Sequence, residues 1–273
     1  MNAPASNRID LKFQELKERG QKAFVAYITA GDPWPAATPA LVWALERAGA
    51  DIVELGMPFS DPLADGVVNQ LSAQRALAAG TTPSQVLEIV RAIRTQSQIP
   101  IVLYTYFNLI YTYGIERFCQ HAYQAGADGI LVLDLPPEEA QGATGVGERL
   151  GDGSLSRICL VAPTSPAERI ATIVKKASGF VYYVSREGVT GMQEHVATNI
   201  GGRIDLVRKE TRLPICIGFG ISSPEQARAV ALQADGAVVG SALVNRIAEW
   251  GKDRDLPEKL EKFARPLAQA IHG

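Results

Sequence analysis

Histidine and cysteine are both scarce in this chain, three of each in 273 residues. Cys119, Cys159 and Cys216 are far apart, odd in number and without CxxC spacing. That pattern excludes a disulfide framework and reads as small buried apolar residues in a reducing compartment. His121 falls within a helical pattern, His195 at the start of another and His272 at the tail. No Ser–His–Asp arrangement and no transition-metal site can be assembled from histidines so placed, so no metal is expected. Neither sign of charge is in excess: 27 Lys and Arg face 29 Asp and Glu, which argues against nucleic acid or an anionic membrane as the main partner. No apolar run approaches the length that spans a bilayer, and residues 1–7 lack the basic-then-apolar pattern of a signal. A cytoplasmic location is the expectation.

What the chain does have is a repeating pattern. Short, nearly continuous apolar runs occur at 24–29, 51–55, 101–105, 129–133, 158–161, 180–184, 215–218 and 237–239. Runs of that kind suit parallel strands covered on both faces. Amphipathic stretches lie between them at 38–48, 83–95, 114–124, 137–150, 166–176 and 224–232. Several open on Ser, Thr or Pro, and two close in Gly-Ala-Asp, at 49–51 and 126–128, as helices leading into strands do. Eight such units predict an α/β chain folded as a (β/α)8 TIM barrel, one domain over residues 1–273. Extra helices are expected at 9–18, before the first strand, and at 67–79, in the second unit. A doubly wound open sheet is the alternative, but its Gly-x-Gly-x-x-Gly is missing after the first strand, where Gly31-Asp32-Pro33 stands. The Gly-rich segment 142–153 reads as a helix end and exposed loop.

In such a barrel the chemistry belongs to the loops at the carboxyl ends of the strands. The second strand carries Glu54, where an apolar residue would pack better, and runs into a loop stiffened by Pro58 and Pro62 that bears Asp61 and Asp65. Such a segment stabilises little but can hold acid and base groups over a pocket; the bland alternative is that Glu54 pairs with a nearby Lys or Arg. At the opposite side, Gly218 and Gly220 follow the seventh strand, and Gly240-Ser241 opens the helix after the eighth. Backbone amides at such a place suit phosphate, although a turn requiring positive φ explains each glycine equally well. Gly188 and Gly191, after the sixth strand, could complete the cup. No lysine lies on a strand to form a Schiff base, so proton transfer on a phosphorylated substrate is left to carboxylates.

These residues resemble the tryptophan synthase alpha subunit family. The stretch from Glu54 to Gly66 reads Glu-Leu-Gly-Met-Pro-Phe-Ser-Asp-Pro-Leu-Ala-Asp-Gly, the family's signature loop. Ile28-Thr29-Ala30-Gly31-Asp32-Pro33, Asp134-Leu135-Pro136-Pro137, Val184-Ser185-Arg186-Glu187-Gly188-Val189-Thr190-Gly191 and Gly218-Phe219-Gly220-Ile221-Ser222 support it. The resemblance implies retro-aldol cleavage of indole-3-glycerol phosphate to indole and glyceraldehyde 3-phosphate. It implies Glu54 as general acid/base and Asp65 as the acceptor facing the indole N–H. Phosphate is expected at Gly191, Gly220, Gly240 and Ser241 with Tyr182 nearby, and Thr190 is expected to close against Asp65. Pro58, Asp61, Asn108 and Pro136 are expected to face a tryptophan synthase beta subunit, in an alpha2beta2 heterotetramer. No cofactor is expected on this chain; pyridoxal phosphate belongs to that partner. The alternatives are a stand-alone lyase that releases indole freely and a weakly catalytic barrel that regulates the beta subunit.

The chain departs from the family pattern at three places. Val67 stands where Pro usually follows the signature loop, Tyr104 where an aliphatic residue often lines the indole pocket, and Leu133 where Pro is frequent.

Overall fold

The computed structural model describes residues 7–136, 139, 155–184, 193–218 and 220–273. Eight parallel strands, β1 (Ala23–Thr29), β2 (Ile52–Gly56), β3 (Ile101–Thr105), β4 (Gly129–Val132), β5 (Ser156–Val161), β6 (Val181–Val184), β7 (Ile215–Gly218) and β8 (Gly236–Val239), pair in sequence order. β8 returns to β1, so the sheet is a closed barrel and the open-sheet alternative is excluded. Each predicted strand is present, with ends shifted by no more than two residues.

Both faces of the sheet are apolar because both are covered. Ile28, Leu55, Leu103 and Val239 pack outward beneath the helices. Val25, Ile52, Val102, Leu131, Ile158, Cys216 and Val238 fill the interior. The expected N-terminal helix, α1 (Arg8–Glu18), presses Ile9, Phe13 and Leu16 against that inner cluster, and Phe13 meets Phe180 with ring centroids 5.8 Å apart. The helix starts where the Asn7 side-chain oxygen accepts a bond from the Ile9 amide at 2.9 Å while its Nδ2 donates to the Asp128 backbone carbonyl at 2.7 Å.

The remaining helices are α2 (Thr38–Ala48), α3 (Val67–Ala78), α4 (Pro83–Arg94), α5 (Phe107–Tyr113), α6 (Ile115–Ala125), α7 (Ala167–Val174), α8 (Gln193–Glu210), α9 (Pro224–Ala231), α10 (Ser241–Trp250) and α11 (Leu256–His272). Gly49 and Gly126 end α2 and α6 in the left-handed conformation, at φ 108° and 98°. The Asp of each Gly-Ala-Asp closing then receives an amide from the start of a strand. Asp51 accepts from Phe24 at 2.9 Å and Asp128 from Ile101 at 2.8 Å, and Asp235, in the matching place later, accepts from Ile215 at 3.0 Å. Asp128 also holds Arg8 and Arg94, and Asp51 holds His272 at 2.8 Å, which ties α11 to the start of β2.

One helix departs from the reading of the sequence. Residues 106–108 read as loop, yet Phe107 opens α5. Tyr106 offers no side-chain cap, and an aromatic run is a poor helix signal. The start is fixed instead from a distance, by the Phe107 amide donating to Asp134 at 2.7 Å. Apart from residue 139, the predicted helix at 137–150 and the segment 142–153 lie outside the described residues. α3, which follows the signature loop, is clamped to the first unit: Arg75 grips buried Asp32 through two bonds of 2.8 and 2.7 Å, and Ser72 meets Thr29 at 2.6 Å.

Candidate active site

Side chains alternate across a strand, so residues two apart share a face. Val25 and Tyr27, Ile52 and Glu54, Val102 and Tyr104 therefore stack in layers inside the barrel. The upper layer holds Tyr27, Glu54, Tyr104, Leu160 and Tyr182, an aromatic well with one carboxyl in it. Glu54 is fully buried, and among the described residues neither of its oxygens has a hydrogen-bond partner. Burial pushes its pKa up from 4.5 to about 8. The bland alternative, an ion pair with a nearby Lys or Arg, finds no such partner among the described residues.

Two glycines make room for the neighbouring phenols. A Cβ on Gly56 would come 2.4 Å from the Tyr27 hydroxyl, and one on Gly218 2.3 Å from that of Tyr182. Gly218 therefore makes space for Tyr182 as well as ending β7. Burial holds the Tyr27 and Tyr182 phenols well above their ordinary pKa, so both remain neutral.

Asp65 reaches the same mouth from the loop between β2 and α3. Its Oδ1 accepts from the Tyr104 hydroxyl at 2.9 Å and its Oδ2 from the Tyr106 hydroxyl, also at 2.9 Å. Tyr106 in turn accepts from the Ala64 amide at 3.0 Å, and Gln70 donates to the Asp65 carbonyl at 2.9 Å. Burial raises the Asp65 pKa, opposed by bonds from Tyr106, Tyr104 and Asn69. The two tyrosines were not among the residues the sequence singled out as functional. Their two-residue spacing, at the end of β3 and just past it, signals a shared face, but nothing local shows that a carboxylate 39 and 41 residues away meets them.

At the other rim, Gly220 is exposed at φ 62°, with open space where a Cβ would be. Gly240 and Ser241 open α10, whose N-terminus carries no side-chain cap. The neighbouring α9 is capped by its own Ser223. Among the described residues, then, no side chain caps the first amides of α10, an arrangement that anion binding would require. Thr190 and Gly191 lie outside the described residues, as does Gly188.

Of the remaining expected positions, Asp61 and Asn108 are exposed, Pro136 is half-buried and Pro58 is buried. Pro58 and Asn108 line a groove of about 700 Å3 together with Phe59, Leu109, Tyr113 and His121, outside the barrel mouth. His121 bonds the Tyr113 hydroxyl there, and His272 bonds Asp51. The His195 side chain is not among those described. Among the described residues no three His, Cys, Asp or Glu converge as a metal site would need, and no helix is long and apolar enough to cross a membrane.

Known proteins share both this sequence and this architecture. The family model for the tryptophan synthase alpha chain matches residues 13–272. The tryptophan synthase alpha chain of Opitutus terrae is 52% identical over 262 residues, 96% of this chain and 97% of that one. That of Citrifermentans bemidjiense is 51% identical over 265 residues, 97% of this chain and 98% of its own length. Among solved structures, tryptophan synthase subunit alpha from Legionella pneumophila superposes with a TM-score of 0.90 at 40% identity, covering 98% of this chain and 99% of that one. An open form of tryptophan synthase from M. tuberculosis gives 0.86 at 32% identity over 97% and 99%. With the family model, close relatives and solved barrels all matching over nearly the full length, the chain belongs to the tryptophan synthase alpha chain family.

Proposed function

We propose that Glu54 and Asp65 divide between them the proton work of cleaving indole-3-glycerol phosphate, the family's reaction and this chain's. The observation that carries the assignment is the buried, unpartnered Glu54 carboxyl, which is protonated at neutral pH. It donates its proton to the ring carbon that bears the glycerol chain. The ring becomes an iminium ion, and Asp65 stabilises that charge by accepting from the ring N–H. The Glu54 carboxylate then takes the proton of the neighbouring glycerol hydroxyl. The carbon–carbon bond breaks, its electron pair returns to the ring as indole, and the aldehyde leaves with Glu54 protonated again. Carboxyl chemistry suffices for these steps, and no cofactor on this chain enters them.

Phosphate binds at the opposite rim, on Gly220 and on the uncapped amides of α10 at Gly240 and Ser241, with the Tyr182 phenol in the well beneath. Gly191 is proposed as a further phosphate contact and Thr190 as a loop-closure residue; both lie outside the described residues. Asp is tolerated in the left-handed region, and the space beside Gly220 is open. Gly220→Asp should therefore keep the fold while setting like charge against the phosphate. We expect KM for indole-3-glycerol phosphate to rise roughly tenfold or more; an unchanged KM would mean the anion lies elsewhere.

The groove beside Pro58 and Asn108, with Asp61 and Pro136 on neighbouring loops, is the face offered to a tryptophan synthase beta subunit, in an alpha2beta2 assembly. We place the chain in the cytoplasm, as one domain. The test is indole release from indole-3-glycerol phosphate by the purified chain, alone and titrated with a beta subunit. Release that rises strongly on titration supports the coupled alpha subunit. Fast release indifferent to the partner marks a stand-alone lyase, and none in either case leaves a regulatory barrel.

A further inference from the structure

We propose that Tyr104 is a positioning residue: its phenol fixes the plane of the Asp65 carboxylate before substrate arrives. The inference rests on the role proposed for Asp65 and goes beyond it. Asp65 sits on a loop whose nearby backbone bonds are short-range, from the Asp65 amide to Pro62 and from Leu63 to Asp61. Such a loop fixes the Asp65 backbone without fixing the rotation of its carboxylate. One phenol on one oxygen would leave the group free to swing about that bond. Two phenols on opposite oxygens remove that freedom, and Tyr104 and Tyr106 occupy those places, each at 2.9 Å. Every carboxylate oxygen can accept more than one bond, so the indole N–H still finds a lone pair.

Tyr104 is itself held. It stands in the upper layer of the barrel on β3, and its ring meets Tyr27 edge-on with centroids 4.9 Å apart. Tyr104 is a half-buried ring carried by the strand itself, whereas Tyr106 lies just past the strand end and accepts a bond from Ala64 of the same loop that carries Asp65. An aliphatic residue at position 104 would fill the same space and leave the Asp65 carboxylate with Tyr106 and the long, 3.5 Å bond from Asn69. The sequence departure at this position thus changes how the carboxylate is held, besides adding bulk to the pocket.

Tyr104→Phe keeps the ring and its contact with Tyr27 and removes only the donor. For the full-length chain we expect kcat for indole release to fall about tenfold, the scale of one hydrogen bond to a charged group, with KM within about twofold. Tyr104→Met, which fills the space without a hydroxyl, should lose a similar factor. The acid limb of the pH profile should move to higher pH, because the lost donor favoured the ionised form. The other titratable groups around that mouth, Tyr27 of β1, Glu54 of β2, Tyr106 after β3 and Tyr182 of β6, are unchanged in the variant. In an Asp65→Asn background the same substitution should have no further effect. Equal losses in both backgrounds would show that Tyr104 only shapes the pocket, and the proposal would fall. A silent Tyr104→Phe beside a slow Asp65→Asn would overturn it while leaving Asp65 its role. An Asp65→Asn variant at full speed would overturn the reading of Asp65 on which it stands.

Discussion

Glu54→Gln is expected to slow indole release by about a thousandfold or more, the range of a lost general acid and base acting on the same bond. Glutamine keeps the shape of the side chain and the buried position, so the well and the distant phosphate site stay intact. An amide, however, neither gives up a proton to the ring carbon nor takes one from the glycerol hydroxyl. The loss should fall on kcat, with KM little changed. In the native chain kcat should decline above a pH of about 8, where Glu54 loses the proton it must donate. A steady-state assay of indole across pH tests both points. Turnover by Glu54→Gln within tenfold of native would remove Glu54 from the chemistry.

The same carboxyl carries a second expectation, on stability. Its pKa is 4.5 in the ordinary state and about 8 when buried in the folded chain. The favourable contribution of proton uptake is therefore fully present below pH 4.5 and is lost as pH rises through 8. At pH 7 the unfolded chain has shed the proton and the folded chain has kept it, which costs roughly 3 kcal/mol of stability. Glu54→Met replaces the group with an unbranched apolar side chain of similar volume in a site where neither oxygen had a partner. The variant should be inactive yet more stable at pH 7, by about that amount, with the gain shrinking toward pH 5. Urea unfolding at pH 5, 7 and 8.5 measures it. A difference that does not vary with pH would show that proton uptake at Glu54 is not its source. The stability given up at this position is the cost of keeping a proton available inside a buried well.

The strands were legible because parallel strands buried on both faces leave unbroken apolar runs, and Glu54 was conspicuous because it interrupts one. Glycine followed by Asp marked where helices hand over to strands, although the role of Asp51 and Asp128 in receiving an amide at the start of a strand takes the fold to see. What escaped the sequence depends on contacts between distant segments. α5 begins where Asp134 accepts the Phe107 amide, and an aromatic run announces no such partner. Tyr104 read as a change in bulk, because its bond to Asp65 exists only once β3 stands beside β2 and the signature loop folds back over both. Gly218 read as clearance for an anion, and its nearest demand is the Tyr182 ring lying across it.

The clasp between α11 and the front of the barrel has a consequence for synthesis on the ribosome. α11 packs against α2 and α9, and its His272 bonds Asp51, while β8 zips onto β1. β1 and α2 emerge early, but their partners across the seam are made only with residues 236–272. Until then the nascent chain carries one strand edge with unmet amides and one greasy helix face, both open to neighbours. The ring closes in a late step, and chaperones have their longest opportunity at that seam.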